Sequence, residues 1–116
     1  MQRDTAYLQD LLESARLAII YLDGVPRDAF LEDIRLQDAV IRRLEIVGEA
    51  ARRLSEETRA TTPEVPWADF IGMRNVLAHQ YDDVDMGIVW STVKQDLPDL
   101  LLAIKRAAGR EEPPHP

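Results

Sequence analysis

The chain contains no cysteine. That excludes disulfides, thiolate nucleophiles and zinc sites built on cysteine. Histidine is scarce: only His79 and His115 occur, and His115 lies in the Pro-rich ending Pro113-Pro114-His115-Pro116. His79 is therefore the one structured candidate for imidazole acid–base chemistry. Long apolar runs are missing. The longest near the N-terminus, Leu17 to Leu22, is far too short to span a bilayer. Met1-Gln2-Arg3-Asp4 is polar, with no apolar segment behind it of the kind a secretory signal needs. The expectation is a cytoplasmic protein without a membrane partner. There is no Gly-rich phosphate loop, no internal repeat and no strand-like alternation of useful length.

Basic residues are also in deficit, with 14 Lys and Arg against 21 Asp and Glu and a net charge of −7. A general nucleic-acid coat protein would carry a basic footprint instead. The distribution softens the objection. Residues 34–60 hold six basic and five acidic groups, including Arg42-Arg43 and Arg52-Arg53, while residues 1–33 hold three and seven. Positive charge thus gathers mid-chain; its simplest reading is a solvated helix face. A length of 116 residues allows one domain with one core. The expected division is a helical domain over 1–109 and a flexible tail over 110–116.

What is present reads as helix throughout. Leu8, Leu11, Leu12, Ala15, Ile19 and Leu22 form one buried stripe of a first helix over about Asp4 to Leu22. Asp23-Gly24 ends it. Asp28 is a candidate cap for a short turn holding Ala29, Phe30 and Leu31. A long helix from about Ile34 to Ser55 carries Leu36, Val40, Leu44, Val47, Ala51 and Leu54, and Ile41, Gly48 and Ala50 widen its apolar surface. Such a helix is central in a bundle or lies at an oligomer interface. Gly48 is best explained by close approach of another backbone. A loop is expected over Thr58 to Pro66, then a helix bearing Trp67, Phe70, Ile71, Val76 and Leu77. Asp82-Asp83 reads as a turn and Asp85 as an N-cap for a last helical stretch, which Pro98 should kink or split. The fold class is all-α, a compact antiparallel bundle of four to five helices.

The stretch Arg74-Asn75-Val76-Leu77-Ala78-His79-Gln80-Tyr81 carries the chemistry. It places a fixed cation, an imidazole and a phenol within eight residues. The planar guanidinium of Arg74 matches phosphate oxygens and never loses its charge. Together they suggest reaction at a phosphodiester without a metal. On an ideal helix Asn75 and His79 share a face, whereas Arg74 and His79 stand roughly 140° apart. Two arrangements would let them converge: the helix ends near His79, or two copies meet across a two-fold axis and share a cleft. Glu49 forms an ordinary i, i+4 pair with Arg53, or reaches Arg74 or His79. Trp67 and Trp90 read as core anchors.

Arg74, four intervening residues, His79, one more and then Tyr81 resemble the RX4HXY motif of the HEPN superfamily. The flanks are similar to its HepT-like branch: Gly48-Glu49-Ala50 on the long helix, Pro66-Trp67 before the motif helix, Val84-Asp85 and Val89-Trp90 after it. The resemblance covers about Asp4 to Ile104. It implies a HEPN-like helical bundle that dimerises through the motif helices and acts as a metal-independent endoribonuclease with no cofactor, the toxin of a HepT/MntA toxin–antitoxin pair. It implies Arg74 and His79 as the catalytic pair, attack by the RNA 2′-hydroxyl and hence no action on DNA. Asn75 would orient His79 or donate to a phosphate oxygen, and Glu49 would support the pair. It also implies a partner, a MntA-like nucleotidyltransferase antitoxin that transfers AMP to Tyr81. The alternative is a non-catalytic helical partner subunit of a minimal nucleotidyltransferase; the acidic balance favours it, the intact Arg74, His79 and Tyr81 set the toxin.

Overall fold

Asp85 starts a helix where the sequence says one should start. Its carboxylate accepts from the backbone N–H of Gly87 at 2.8 Å and of Ile88 at 3.3 Å, satisfying two of the donors a helix N-terminus leaves open. Asp33 does the same for the long central helix through Leu36 N–H at 3.0 Å. The computed structural model describes residues 2–111, with the side chains of residues 4–80 and 82–109. Its elements are α1 (Gln2–Tyr21), α2 (Arg27–Leu31), α3 (Ile34–Arg53), α4 (Glu56–Ala60), α5 (Trp67–His79), a 3-10 turn (Tyr81–Asp83), α6 (Met86–Ser91), a π-helical segment (Thr92–Asp96) and α7 (Leu97–Glu111). No strand occurs among the described residues. The protein is an all-α bundle, as its periodicity predicts. No helix among them is long and apolar enough to cross a membrane.

Helix α3 is the hub, packing chiefly on α1 and α5. Leu11, Ala15 and Ala18 of α1, and Leu22 just after it, are fully buried in one core with Val40, Leu44, Val47 and Ala51 of α3. The stripe anticipated on α1 is right in direction and shifted in detail. Ala18 joins it, while Leu8, Leu12 and Ile19 are only half-buried at its edges. Fully burying one such aliphatic side chain is worth about 1.5–3 kcal/mol, so this interface dominates the fold. Gly24 has φ +71, the left-handed conformation that glycine adopts without a Cβ penalty. Asp28 does not cap α2: it lies within the first turn, Pro26 occupies the N-cap position, and no side chain closes it.

The loop expected over Thr58 to Pro66 begins later, because Thr58, Arg59 and Ala60 belong to a short helix, α4, that sequence periodicity did not reveal. Its start is fixed from far away. The Asp4 carboxylate accepts from Ser55 Oγ at 2.6 Å, Thr58 Oγ1 at 2.6 Å and Ser55 N–H at 3.0 Å, while Ser55 Oγ accepts from Thr58 N–H. The Ser55 hydroxyl, then the Thr58 hydroxyl and the Ser55 N–H, hold the Asp4 carboxyl below its usual range. A depressed folded-state value means stability that is present above about pH 4 and lost as pH falls further. Ser55→Ala should cost about 1 kcal/mol, as loss of an N-cap does. Asp4→Asn should melt earlier than wild type at neutral pH and lose less on acidification to pH 3. Calorimetric melts at the two pH values check this, and equal acid losses in both proteins would refute it.

Pro98 acts through a widened turn rather than a break. The helix from Met86 runs through π-helical Thr92–Asp96 into α7, and Leu97 N–H bonds back to the Thr92 carbonyl, five residues earlier. Proline has no N–H and its ring crowds the preceding turn; the wider turn ahead of it absorbs that local clash. Trp67 and Trp90 are anchors, donating their indole N–H to Thr62 Oγ1 at 3.2 Å and to the Val25 carbonyl at 3.1 Å. Helix α7 continues to Glu111. Residues 112–116, with the Pro-rich stretch and His115, lie outside the described residues.

Candidate functional site

Helix α5 is apolar on the side that meets α3, where Trp67, Phe70 and Leu77 are buried. Its approach depends on Gly48. A Cβ placed there would stand 2.3 Å from Arg74 Cβ and 2.8 Å from the Phe70 carbonyl oxygen. The close backbone approach read from Gly48 in the sequence is thus found, and its consequence is specific: it lays the Arg74 side chain across the next residue of α3, Glu49.

Glu49 is the centre of a cluster. Its Oε1 meets Arg52 Nη2 at 2.8 Å and Arg53 Nε at 2.8 Å, and its Oε2 meets Arg52 Nε at 3.3 Å and Arg74 Nε at 3.3 Å. Arg74 also donates from Nη1 to Asn75 Oδ1 at 3.1 Å. The side chains of Arg74 and Glu49 are partly shielded, with 28% and 29% of their surface exposed. Hydrogen bonds from Arg52 and then Arg53, with the nearby positive charges, hold Glu49 at about 2, against the opposing effect of burial. Three guanidiniums against one carboxylate leave a local surplus of positive charge on an otherwise acidic protein. The arrangement fixes the Nε edge of Arg74 and leaves guanidinium donors to meet an incoming anion.

The Glu49 contacts are fully formed above about pH 4.5, the group's ordinary value, and are lost only as pH falls toward 2. The cluster should therefore be unchanged between pH 5 and 9. A carboxyl NMR titration of Glu49 should have its midpoint near 2. A midpoint at the ordinary glutamate value would mean that the arginines do not gather in solution.

The structure brings Glu49, Arg74 and Asn75 together and leaves His79 apart. His79 is the last residue of α5, exposed, with no hydrogen bond or ion pair to another described side chain. Of the two partners considered for Glu49 beyond Arg53, it reaches Arg74. Helix α5 persists through His79 and stops at Gln80, whose backbone leaves the helical region at φ −133, ψ 45. His79 thus keeps its helical azimuth, roughly 140° from Arg74 and about 7.5 Å along the axis. Tyr81 opens the following 3-10 turn; its side chain lies outside the described residues. No group of three or more His, Cys, Asp or Glu side chains that could hold a metal ion occurs among the described residues.

Two participants escaped the sequence reading. Arg52 looked like part of a solvated face, yet it supplies two of the Glu49 contacts; its position three residues after Glu49 was the available signal. Tyr7 of α1 drew no functional reading. It borders an open groove of about 240 Å³ that is also lined by Arg42, Arg53 and Arg74, by Asp10, Glu45 and Glu49, and by Ile46 and Ala50. Nothing local in the sequence joins Tyr7 to Arg74.

Comparison with known proteins places these residues in context. A family described as Ribonuclease HepT-like matches residues 11–107. The chain is 39% identical over 95 residues to a "Putative RNase" of Methanocaldococcus jannaschii, covering 82% of this chain and 87% of that protein. It is 39% identical over 94 residues to a "Probable ribonuclease HepT" of Thermococcus cleftensis, covering 81% and 86%. A longer protein of M. jannaschii, named "Gamma-glutamylcyclotransferase and putative RNase", is 43% identical over 101 residues; the match takes in 86% of this chain but 46% of that protein. No solved structure matches the chain.

Proposed function

Because the chain belongs to the Ribonuclease HepT-like family, we propose that it is a metal-independent endoribonuclease and the toxin of a toxin–antitoxin pair. The observation that carries this reading is Arg74, on the helix that ends in His79, braced by Glu49 of α3 together with Arg52 and Arg53 of that same α3. That puts an anion-binding position and an exposed imidazole on one helix, about 7.5 Å apart along its axis. In the proposed reaction the RNA 2′-oxygen attacks the neighbouring phosphorus, the bond to the 5′-oxygen breaks, and a 2′,3′-cyclic phosphate forms. His79 takes the proton from the 2′-hydroxyl or gives one to the departing 5′-oxygen, a role worth about 10²–10⁴-fold. Arg74 neutralises charge that grows on the phosphoryl oxygens. Asn75, whose carbonyl faces Arg74, keeps its amide donors for a phosphate oxygen.

The separation of Arg74 and His79 on one helix favours a composite site. In a two-fold dimer a cleft between motif helices holds two of each group, and the two imidazoles divide the base and acid steps. Exposed Val76 and Ile88 border an apolar groove of about 230 Å³ beside the end of α5, surface that such contact would cover. Control is proposed at Tyr81 through AMP transfer by a MntA-like nucleotidyltransferase antitoxin. An adenylate there would bring a negative charge that competes for Arg74 and bulk that closes the cleft. Intact mass after incubation with that partner, ATP and magnesium should show added AMP on wild type and none on Tyr81→Phe. Equal addition to both would move the site elsewhere.

Cleavage should persist in EDTA and leave cyclic or 3′-phosphate ends, and a substrate with a single 2′-deoxy sugar at the scissile position should resist. Loss of activity in EDTA, or equal cutting of DNA, would overturn the mechanism. The second reading, a non-catalytic partner subunit of a nucleotidyltransferase, is favoured by the net charge of −7. It requires that purified protein at micromolar concentration cut no RNA while still binding the nucleotidyltransferase.

A further inference from the structure

We propose that the groove between α1 and α3, beside Arg74, is a nucleobase subsite for single-stranded RNA, with the Tyr7 ring as its stacking surface. The nature of the ligand rests on the ribonuclease reading; the site itself rests on the following geometry. Arg74 lines the groove as well as belonging to the Glu49 cluster. A nucleotide whose phosphate meets the free edge of Arg74 therefore has the groove next to it. The interior is suited to a planar, largely apolar ring. Tyr7, Ile46 and Ala50 give it apolar lining, in a volume of about 240 Å³, and its carboxylates, Asp10, Glu45 and Glu49, are matched in number by Arg42, Arg53 and Arg74.

Tyr7 is partly buried and packs against the hydrophobic core, so the orientation of its ring is set before any ligand arrives. The Arg53 guanidinium lies 5.8 Å from the ring centroid, a cation–π distance. It is held there by Glu49 at 2.8 Å. An immobilised phenol and an immobilised guanidinium are the two kinds of plane on which unstacked RNA bases rest. Arg42 at the rim is 65% exposed and only loosely paired with Glu45, at 3.9 Å, leaving it able to turn toward a neighbouring phosphate. The other grooves lack this combination. One, lined by Glu64, Asp96 and Asp99, has Arg106 as its one cation and no aromatic ring, and those beside Trp67 and beside Val76 and Ile88 have no cation.

Stacking uses the face of the ring and not the hydroxyl, which gives the test its shape. The probe is a fluorescein-labelled single-stranded RNA decamer, 2′-O-methylated throughout so that it cannot be cut by 2′-attack. Its affinity is read by anisotropy. Tyr7→Phe should bind within about twofold of wild type. Tyr7→Leu, which keeps an apolar side chain against the core, should bind about 5- to 150-fold more weakly. The same decamer carrying 5-iodouridine should photo-crosslink to the tryptic peptide of residues 4–16, whose one aromatic residue is Tyr7. The crosslink is read on wild-type protein, so it holds even if Tyr7→Leu fails to fold. Adducts confined to other peptides, or a folded Tyr7→Leu that binds as wild type does, overturn the subsite. Wild type that binds and crosslinks at Tyr7 but cuts no RNA overturns the ribonuclease reading and leaves the subsite standing. Wild type that binds no decamer overturns both.

Discussion

His79→Ala should abolish RNA cleavage, by about 10²- to 10⁴-fold, with the helical circular dichroism and melting temperature unchanged. The second half of the expectation follows from the structure. His79 is exposed, terminates α5 and bonds to no other described side chain, so its removal opens no cavity and leaves no buried partner unpaired. Arg74→Ala should lose cleavage to a similar degree, but with a different structural signature. Removing Arg74 leaves Glu49 to Arg52 and Arg53 alone, raising the Glu49 carboxyl somewhat from about 2. Arg74→Lys should recover little. A point charge cannot occupy the Glu49 carboxylate, face the Asn75 carbonyl and still offer a planar fork to phosphate. Single-turnover cleavage with saturating enzyme separates these losses from weakened binding. If His79→Ala cuts RNA at the wild-type rate, the imidazole is a helix-end residue and nothing more.

The largest expected effect on stability is at Gly48. In an exposed helix a Gly→Ala change gains about 1 kcal/mol. Here the new methyl would meet Arg74 Cβ at 2.3 Å and the Phe70 carbonyl at 2.8 Å, the second of them backbone. Helices α3 and α5 would have to separate, and overpacking of this kind costs about 1–3 kcal/mol. Gly48→Ala should therefore melt several degrees lower than wild type, and should also cut RNA more slowly, because the displaced helix carries Arg74. Gly72 on the same helix α5 is the internal control. A Cβ there meets nothing within 4 Å and its backbone needs no positive φ. Gly72→Ala should raise the melting temperature and leave cleavage unchanged. Two substitutions of one chemistry thus move stability in opposite directions, separated only by what stands across from each glycine. Equal shifts in both would show that α3 and α5 do not pack as described.

Much of this was legible in the chain because helix signals are local. The i, i+3, i+4 spacing that makes α1 and α3 apolar on one side, the glycine after α1, the Asp85 cap and the Pro98 disturbance each depend on residues within a turn or two. Gly48 could be read as a close approach because an otherwise costly residue inside a long helix needs a reason. The spacing of Arg74 and His79, and the conflict between their azimuths on one helix, also follows from sequence alone. The errors were local as well. Asp28 was read as the cap of the short turn at Phe30, but the backbone enters that helix two residues earlier, at Pro26, and leaves Asp28 inside its first turn.

The tertiary structure decided the rest, because the deciding contacts join residues that sequence spacing cannot relate. Asp4 reaches Ser55 across 51 residues at the start of α4; the local sign, Ser55 three residues before Thr58 with Glu56 and Glu57 between, is too short to mark a helix by periodicity. Glu49 had a ready partner four residues on in Arg53, and sequence offered no ground for preferring Arg74 to His79 beyond it. The packing of α5 on α3 at Gly48 made that choice. It turned an ordinary helix pair into a three-arginine cluster and placed Tyr7 of α1 on the same groove as Arg74. The sequence by itself determined the long helices and which residue types are available for chemistry. Only the packing angles and approach distances of those helices determined which of the residues stand together, since periodicity specifies a helix's face but not its neighbour's register.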